Sequence, residues 1–194
     1  IEKYNVDVIP LTINIDGNEY DYRTISNDEY IERMRTATTY STSQPAIGKF
    51  LEAYEKEERY KTDTYLLSSI GKMYDLLGKY ENGEEFLRKS YDLGERDRWI
   101  NMELGECLTR LGKYEEAIEK LLEARRLYMA EGKAPYSEDL ELAYCYAALG
   151  DKKKAEKHMK LSIDSLGSRA ENEEHLKEQF DEIKEMISVL SKPS

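Results

Sequence analysis

A chain of 194 residues is long enough for one or two buried cores, and 36% charged residues with a mean hydropathy of −0.77 suit a helix-rich protein with solvated faces. The formal charge of −11 argues against nonspecific nucleic-acid binding, which needs a cationic surface. No apolar run approaches the roughly 18 residues of a membrane-spanning helix.

The chain opens at Ile1 rather than at methionine, as expected of a piece of a longer protein. Residues Val6–Tyr22 differ from everything after them. Val6–Ile15 is β-branched and partly alternating, Asp16-Gly17 is a short hairpin signal, and Asn18–Tyr22 returns as a second strand. Ser26, three residues before Glu29, forms a capping box. An amphipathic helix carrying Tyr30, Ile31 and Met34 is therefore expected up to about Ala37. The polar loop Thr38–Ser43 leads to Gln44-Pro45, where Pro45 can open a second helix. Phe50, Leu51 and Tyr54 supply that helix's apolar face.

Five stretches in this region act together: Val8-Ile9-Pro10-Leu11-Thr12, Asp16-Gly17-Asn18-Glu19-Tyr20, Ile25-Ser26, Thr42-Ser43-Gln44-Pro45, and Gly48-Lys49-Phe50-Leu51-Glu52-Ala53-Tyr54. In this combination residues 1–57 resemble the N-terminal part of the DegV family, two-domain α/β proteins that bind fatty acids. The resemblance implies a small α/β segment, a hairpin plus two helices. It also implies that Thr42 and Ser43 match a loop that holds a lipid carboxylate. The match stops near residue 57, without the family's Gly-rich serine loop or its C-terminal domain. No tight fatty-acid binding is expected, and Thr42-Ser43 reads first as helix capping ahead of Pro45. A long apolar strand edge invites pairing, so the segment is expected to dock on the rest of the chain or to pair between protomers as a homodimer. The chain after it is expected to stay folded without it.

The charge run Glu55–Lys61 reads as a solvated face or linker and marks the boundary between residues 1–57 and 58–194. Beyond it, Leu67–Ser90 and Asn101–Ala124 superimpose with an offset of 34 residues. Gly71 falls on Gly105, Gly78 on Gly112, and Tyr80 on Tyr114. A glycine inside a helix costs about 1 kcal/mol relative to alanine, which makes sense where the backbone of a paired helix comes close. Gly78 and Gly112 sit where the first helix of each pair ends, a left-handed cap that glycine adopts cheaply. Ala117, Leu121 and Ala124 then line one narrow stripe of the second helix. A third copy, Leu142-Ala143…Tyr146…Gly150…Ala155…Met159, follows after four extra residues. Gly132-Lys133-Ala134-Pro135 and Gly167 are helix stops. Ala170–Leu190 reads as one further helix with Phe180, Ile183, Ile187 and Leu190 on its apolar stripe, a terminal cap.

This period and motif resemble the tetratricopeptide (TPR) repeat. The resemblance implies a mainly α fold, a helical solenoid of three repeats plus a capping helix, whose concave surface is lined by the first helix of each repeat. Counting from the packing glycine places Tyr65, Ser68 and Lys72, then Trp99, Met102, Glu106 and Arg110, then Leu140 and Tyr144, in that groove. The Lys/Asn set that clamps acidic chaperone tails is missing. The groove is instead aromatic and apolar, with Lys72 and Arg110 at hand for a carboxylate or carbonyl. Trp99 is its expected anchor, and the competing expectation is that Trp99 and Met102 pack as core.

Cys107 and Cys145 occupy equivalent places in neighbouring repeats and read as small core residues in a reducing, cytoplasmic compartment. His158 and His175 lie among charged residues on predicted helices with no second ligand at i+4, so no metal or other cofactor is expected. The many Asp and Glu read as solvated helix faces, and no nucleophile or phosphate-loop motif stands out. The expected function is protein–protein recognition of a peptide or helix, without enzymatic activity. Two alternatives are a fatty-acid-binding module in the DegV-like segment, or a fusion or remnant segment with no activity of its own.

Overall fold

A computed structural model describes residues 12–15, 18–21, 26–36 and 44–190. Strands β1 (Thr12–Ile15) and β2 (Asn18–Asp21) pair antiparallel, with Ile15 opposite Asn18 and Thr12 opposite Asp21. Ten α-helices follow among the described residues, none long and apolar enough to cross a membrane. By packing, the chain divides into two compact units, residues 1–95 and 96–194.

In the first unit, α1 (Asn27–Thr36) begins as the capping box requires: the Glu29 amide donates to Ser26 Oγ at 3.2 Å. Helix α2 (Gln44–Lys56) has Pro45 in its first turn. A single 3-10 turn at Glu58–Tyr60 then leads into α3 (Thr64–Leu76) and α4 (Tyr80–Asp92). The expected linker is where sequence and structure part. Tyr60 is only 4% exposed and belongs to one continuous core with Tyr30, Ile31, Phe50, Ala53 and Tyr54 before it and Leu66, Leu67, Ile70 and Met73 after it. The charges of the run face water while its one aromatic ring does not. Tyr60 Oη lies 2.6 Å from Glu32 Oε1 and 2.7 Å from Asp28 Oδ1, its single proton shared between the two carboxylates, and Arg59 pairs with Asp28. The edge of Tyr54 meets Phe86, whose ring stacks on Tyr74 at 5.7 Å. Helices α1 and α2 are thus packed onto the first repeat pair. Each large side chain in that core contributes about 1.5–3 kcal/mol of burial.

The second unit holds α5 (Arg98–Arg110), α6 (Tyr114–Ala130), α7 (Tyr136–Ala148), α8 (Lys152–Leu166), the short α9 (Arg169–Asn172) and α10 (Glu174–Val189). Helix pairs α3/α4, α5/α6 and α7/α8 end their first members alike. Gly78, Gly112 and Gly150 have φ of 70°, 72° and 80°. The next amides reach back five residues, Lys79 to the Tyr74 carbonyl, Lys113 to Leu108 and Asp151 to Tyr146, each at 2.9 Å. These are Schellman caps that satisfy the otherwise orphaned carbonyls. The four inserted residues lengthen α6, which has 17 residues where α4 has 13.

The packing glycines face a leucine side chain first and the expected backbone of the paired helix next. A Cβ on Gly105 would lie 2.7 Å from Leu121 Cγ, and one on Gly71 would lie 2.6 Å from Leu87 Cγ and 3.0 Å from the Gly83 carbonyl. The leucine of the paired helix fills the notch, and backbone crowds Gly71 more than Gly105, where the Leu121 amide nitrogen would lie 3.4 Å from the Cβ. Cys107 and Cys145 are fully buried and unpaired.

The last helix is broken rather than continuous. Glu173 is extended at φ −96° and ψ 110°, between α9 and α10. Leu176, Phe180, Ile183 and Ile187 form the buried stripe of α10, whereas Leu190 is 41% exposed. Ala170 is also buried. Six residues of continuous helix would turn it about 120° away from Leu176, so the break lets both side chains reach the interior.

Candidate functional site

On α3, Tyr65 is 47% exposed, Ser68 donates its hydroxyl to the Tyr65 carbonyl at 2.9 Å, and Lys72 is half-buried. On α5, Trp99 is 62% exposed, Glu106 is half-buried and Arg110 is exposed. Met102 is only 4% exposed and, unlike Leu140, is not among the side chains lining the cleft described below. Thr42 and Ser43 lie outside the described residues.

Trp99 does not stand alone. The Arg98 guanidinium lies 4.5 Å over its ring and 3.6 Å over the ring of Tyr128, while Arg98 Nε donates to Glu138 Oε1 at 2.7 Å. Glu138 is completely buried and Asp139 is 1% exposed, contrary to the expectation of solvated acids. Asp139 Oδ1 receives Arg125 Nε at 2.8 Å and contacts His158 Nδ1 at 2.7 Å, with the imidazole stacked on Tyr146. These charges are structural: pairing and hydrogen bonding offset the large cost of burying them. Nothing in the spacing of Arg98, Arg125, Glu138, Asp139 and His158 announces these pairings, because four helices, α5 to α8, must pack first.

A cleft of about 280 Å³ opens between α5, α7 and α10. Arg110 comes from α5, Tyr114 from the start of α6, Leu140, Glu141 and Tyr144 from α7, and Glu182 from α10. Three of the counted groove positions, Arg110, Leu140 and Tyr144, therefore meet around one cleft, with Leu140 only 6% exposed. The rings of Tyr114 and Tyr144 are 6.4 Å apart at 56°. Burial, with the nearby Glu182 carboxylate, pushes the Tyr144 phenol above its usual range, so it stays neutral. Beneath, Cys145 Sγ lies 3.2 Å from Thr109 Oγ1, and burial raises its thiol pKa to about 11. At neutral pH that sulfur is a thiol and a poor nucleophile. Among the described residues no group of three or more His, Cys, Asp or Glu is placed to hold a metal ion. Sequence counting missed Tyr114, Glu141 and Glu182; Glu182 lies on α10, whose approach to α7 no repeat rule specifies.

The family model described as an uncharacterised protein of the DegV family matches residues 1–73, and the tetratricopeptide repeat model matches residues 65–95. The DegV domain-containing 15.5 kDa protein of Staphylococcus aureus is 44% identical over 57 residues, covering 29% of this chain and 41% of its own length. A DegV domain-containing protein of Listeria monocytogenes is 46% identical over 70 residues, 35% of this chain and 24% of that protein. This chain thus matches less than half the length of each of these relatives. The crystal structure of MamA protein superimposes with a TM-score of 0.59 at 18% identity, covering 84% of this chain and 89% of that one. At that identity the likeness concerns the helical fold alone. The two family matches overlap on residues 65–73, within α3.

Proposed function

We propose that this chain is a non-enzymatic, cytoplasmic peptide-binding module whose partner segment lies on the α5–α7–α10 face of the second unit. The observation that carries the reading is the convergence of Arg110, Leu140 and Tyr144 on one cleft, since all three are first-helix positions counted from the repeat glycines. The repeat match and the helical neighbour support an interaction module. Trp99 is exposed and already braced by Arg98, which suits an anchor that loses little freedom on binding. Tyr65, Ser68 and Lys72 hold the corresponding positions on α3 of the first unit and are proposed separately as partner-contacting residues there.

The proposed division of labour falls at residues 57/58. Residues 1–57 are a DegV-like α/β segment whose helices cap the first repeat, and residues 58–194 are the repeat domain with its terminal helix. The packing of buried α1 and α2 side chains into one core with α3 supports this covering role.

Panning a random-peptide display library on the purified chain tests the binding reading. Selected peptides should lose about 30-fold in affinity, roughly 2 kcal/mol, in Trp99→Ala, with circular dichroism unchanged. Full retention of binding in both Trp99→Ala and Tyr144→Ala, with the fold intact, rules the face out. Native mass spectrometry addresses the segment. A stoichiometric acyl chain that disappears in Thr42→Ala reassigns it as a lipid site.

A further inference from the structure

We infer that the cleft between α5, α7 and α10 receives the cationic side chain, lysine or arginine, of the partner segment. This rests on reading the cleft as the peptide site and adds the chemistry of its occupant. Size comes first: about 280 Å³, at the lower edge of the roughly 300–1,000 Å³ of small-molecule sites, has room for one long side chain.

The lining then selects the charge. Tyr114 and Tyr144 line the cleft with their rings tilted at 56°, and an aromatic ring attracts cations to its face through its quadrupole. Glu141 and Glu182 add two carboxylates to the lining, and burial together with their charge raises the pKa of the Tyr144 phenol. Glu182 is exposed and has no ion-pair partner among the described residues. Leu140 and Ile183, 6% and 1% exposed, keep the lining partly dry and so strengthen each electrostatic contact. The one basic residue of the lining, Arg110, turns Nη1 onto its own helix, donating to the Glu106 carbonyl at 2.9 Å. Two carboxylates against one guanidinium leave an acidic, aromatic slot. A partner's acidic side chain meets like charge there.

The same display library, read for composition, tests this. Against the unaltered chain, selected peptides should be enriched in Lys or Arg at one position, and Glu182→Gln should weaken a chosen peptide about fivefold. Panning on Glu182→Lys should abolish the basic preference. Because Glu182 is exposed, neither substitution disturbs the core. Peptides that lack a shared cation, yet are lost in Tyr144→Ala, overturn the inference and leave the peptide-site reading standing. Selection that ignores both Tyr144 and Glu182 overturns both.

Discussion

The α3/α4 and α5/α6 pairs share one packing device and live in different surroundings. In each, a glycine of the first helix receives a leucine of the second, Leu87 at Gly71 and Leu121 at Gly105. Both begin their first helix with an aspartate cap, Asp63 accepting from the Leu66 amide at 3.0 Å and Asp97 from the Ile100 amide at 2.9 Å. Their outer faces differ. The α3/α4 pair is covered by the aromatics of α1 and α2, while the α5/α6 pair meets α7 through buried charges. A short motif therefore specifies the hairpin of helices, and its neighbours decide which chemistry covers it.

The largest effect is expected from removing the aromatic cover. Deleting residues 1–57 takes Tyr30, Ile31, Phe50, Ala53 and Tyr54 out of the core shared with α3. At about 1.5–3 kcal/mol for each large side chain, this rivals the whole stability of a domain. The shared core reverses the expectation that the repeats survive without this segment. Hydrogen exchange should show α3 and α4 unprotected while α5–α10 keep their protection; protected α3 amides in the deletion variant would contradict it.

Next comes the charged cover. Arg98→Ala leaves the fully buried Glu138 carboxylate uncompensated and removes the guanidinium from between two rings. A cost of about 3–5 kcal/mol is expected in urea unfolding. Arg98→Met with Glu138→Leu should recover most of it, because an apolar pair of similar volume replaces an ionic one.

The shared device can be broken at both places and compared. Gly71→Ala and Gly105→Ala should each cost about 1–3 kcal/mol by overpacking. A double-mutant cycle separates them. Leu121→Ala should couple strongly with Gly105→Ala, since the leucine side chain makes the tight contacts. Leu87→Ala should relieve Gly71→Ala less, because the Gly83 carbonyl remains 3.0 Å from the new methyl. Equal coupling energies would show that the backbone contact yields freely.

The smallest effect concerns Tyr60. Its one hydroxyl proton is shared between the exposed carboxylates of Glu32 and Asp28, so Tyr60→Phe should cost about 1 kcal/mol at neutral pH. Burial, with the hydrogen bond to Glu32, raises its pKa from 10.0 to about 12. The neutral phenol is thus favoured in the folded state. Its stabilisation is fully present below pH 10 and is lost as the pH rises from 10 to 12. The difference in stability between the parent and Tyr60→Phe should shrink across that window. A pH-independent difference would exclude the linkage.

Local chemistry announces itself in sequence. The capping box at Ser26, the caps at Gly78, Gly112 and Gly150, the stop at Gly132 and the stripe Ala117, Leu121, Ala124 depend on residues a few positions apart, and all are where the spacing places them. The 34-residue offset likewise aligns Ser90 with Ala124, and after the insertion with Ser162. Ser90 Oγ donates to the Thr64 carbonyl and Ser162 Oγ to the Tyr136 carbonyl, both at 2.8 Å, while Ala124 packs without a bond. The alignment is visible in the letters; the bond is not, since it needs the opposite helix.

Contacts between elements obey no such short rule. Tyr60 sits in a charge run yet belongs to the core, because α1 and α2 bring an apolar surface to meet it. Glu138 and Asp139 resemble their solvated neighbours in sequence and differ only in facing Arg98, Arg125 and His158. The cleft draws its residues from four helices, including α10, which carries no repeat signature. By itself the sequence determined the helix pairs, their caps and the positions that count from each glycine, because backbone preference and side-chain period act over a single turn or pair. Tertiary structure alone decided which acids are buried, which aromatic residues form core and which three groove positions share a cleft, because each depends on surfaces that exist only after distant helices have packed.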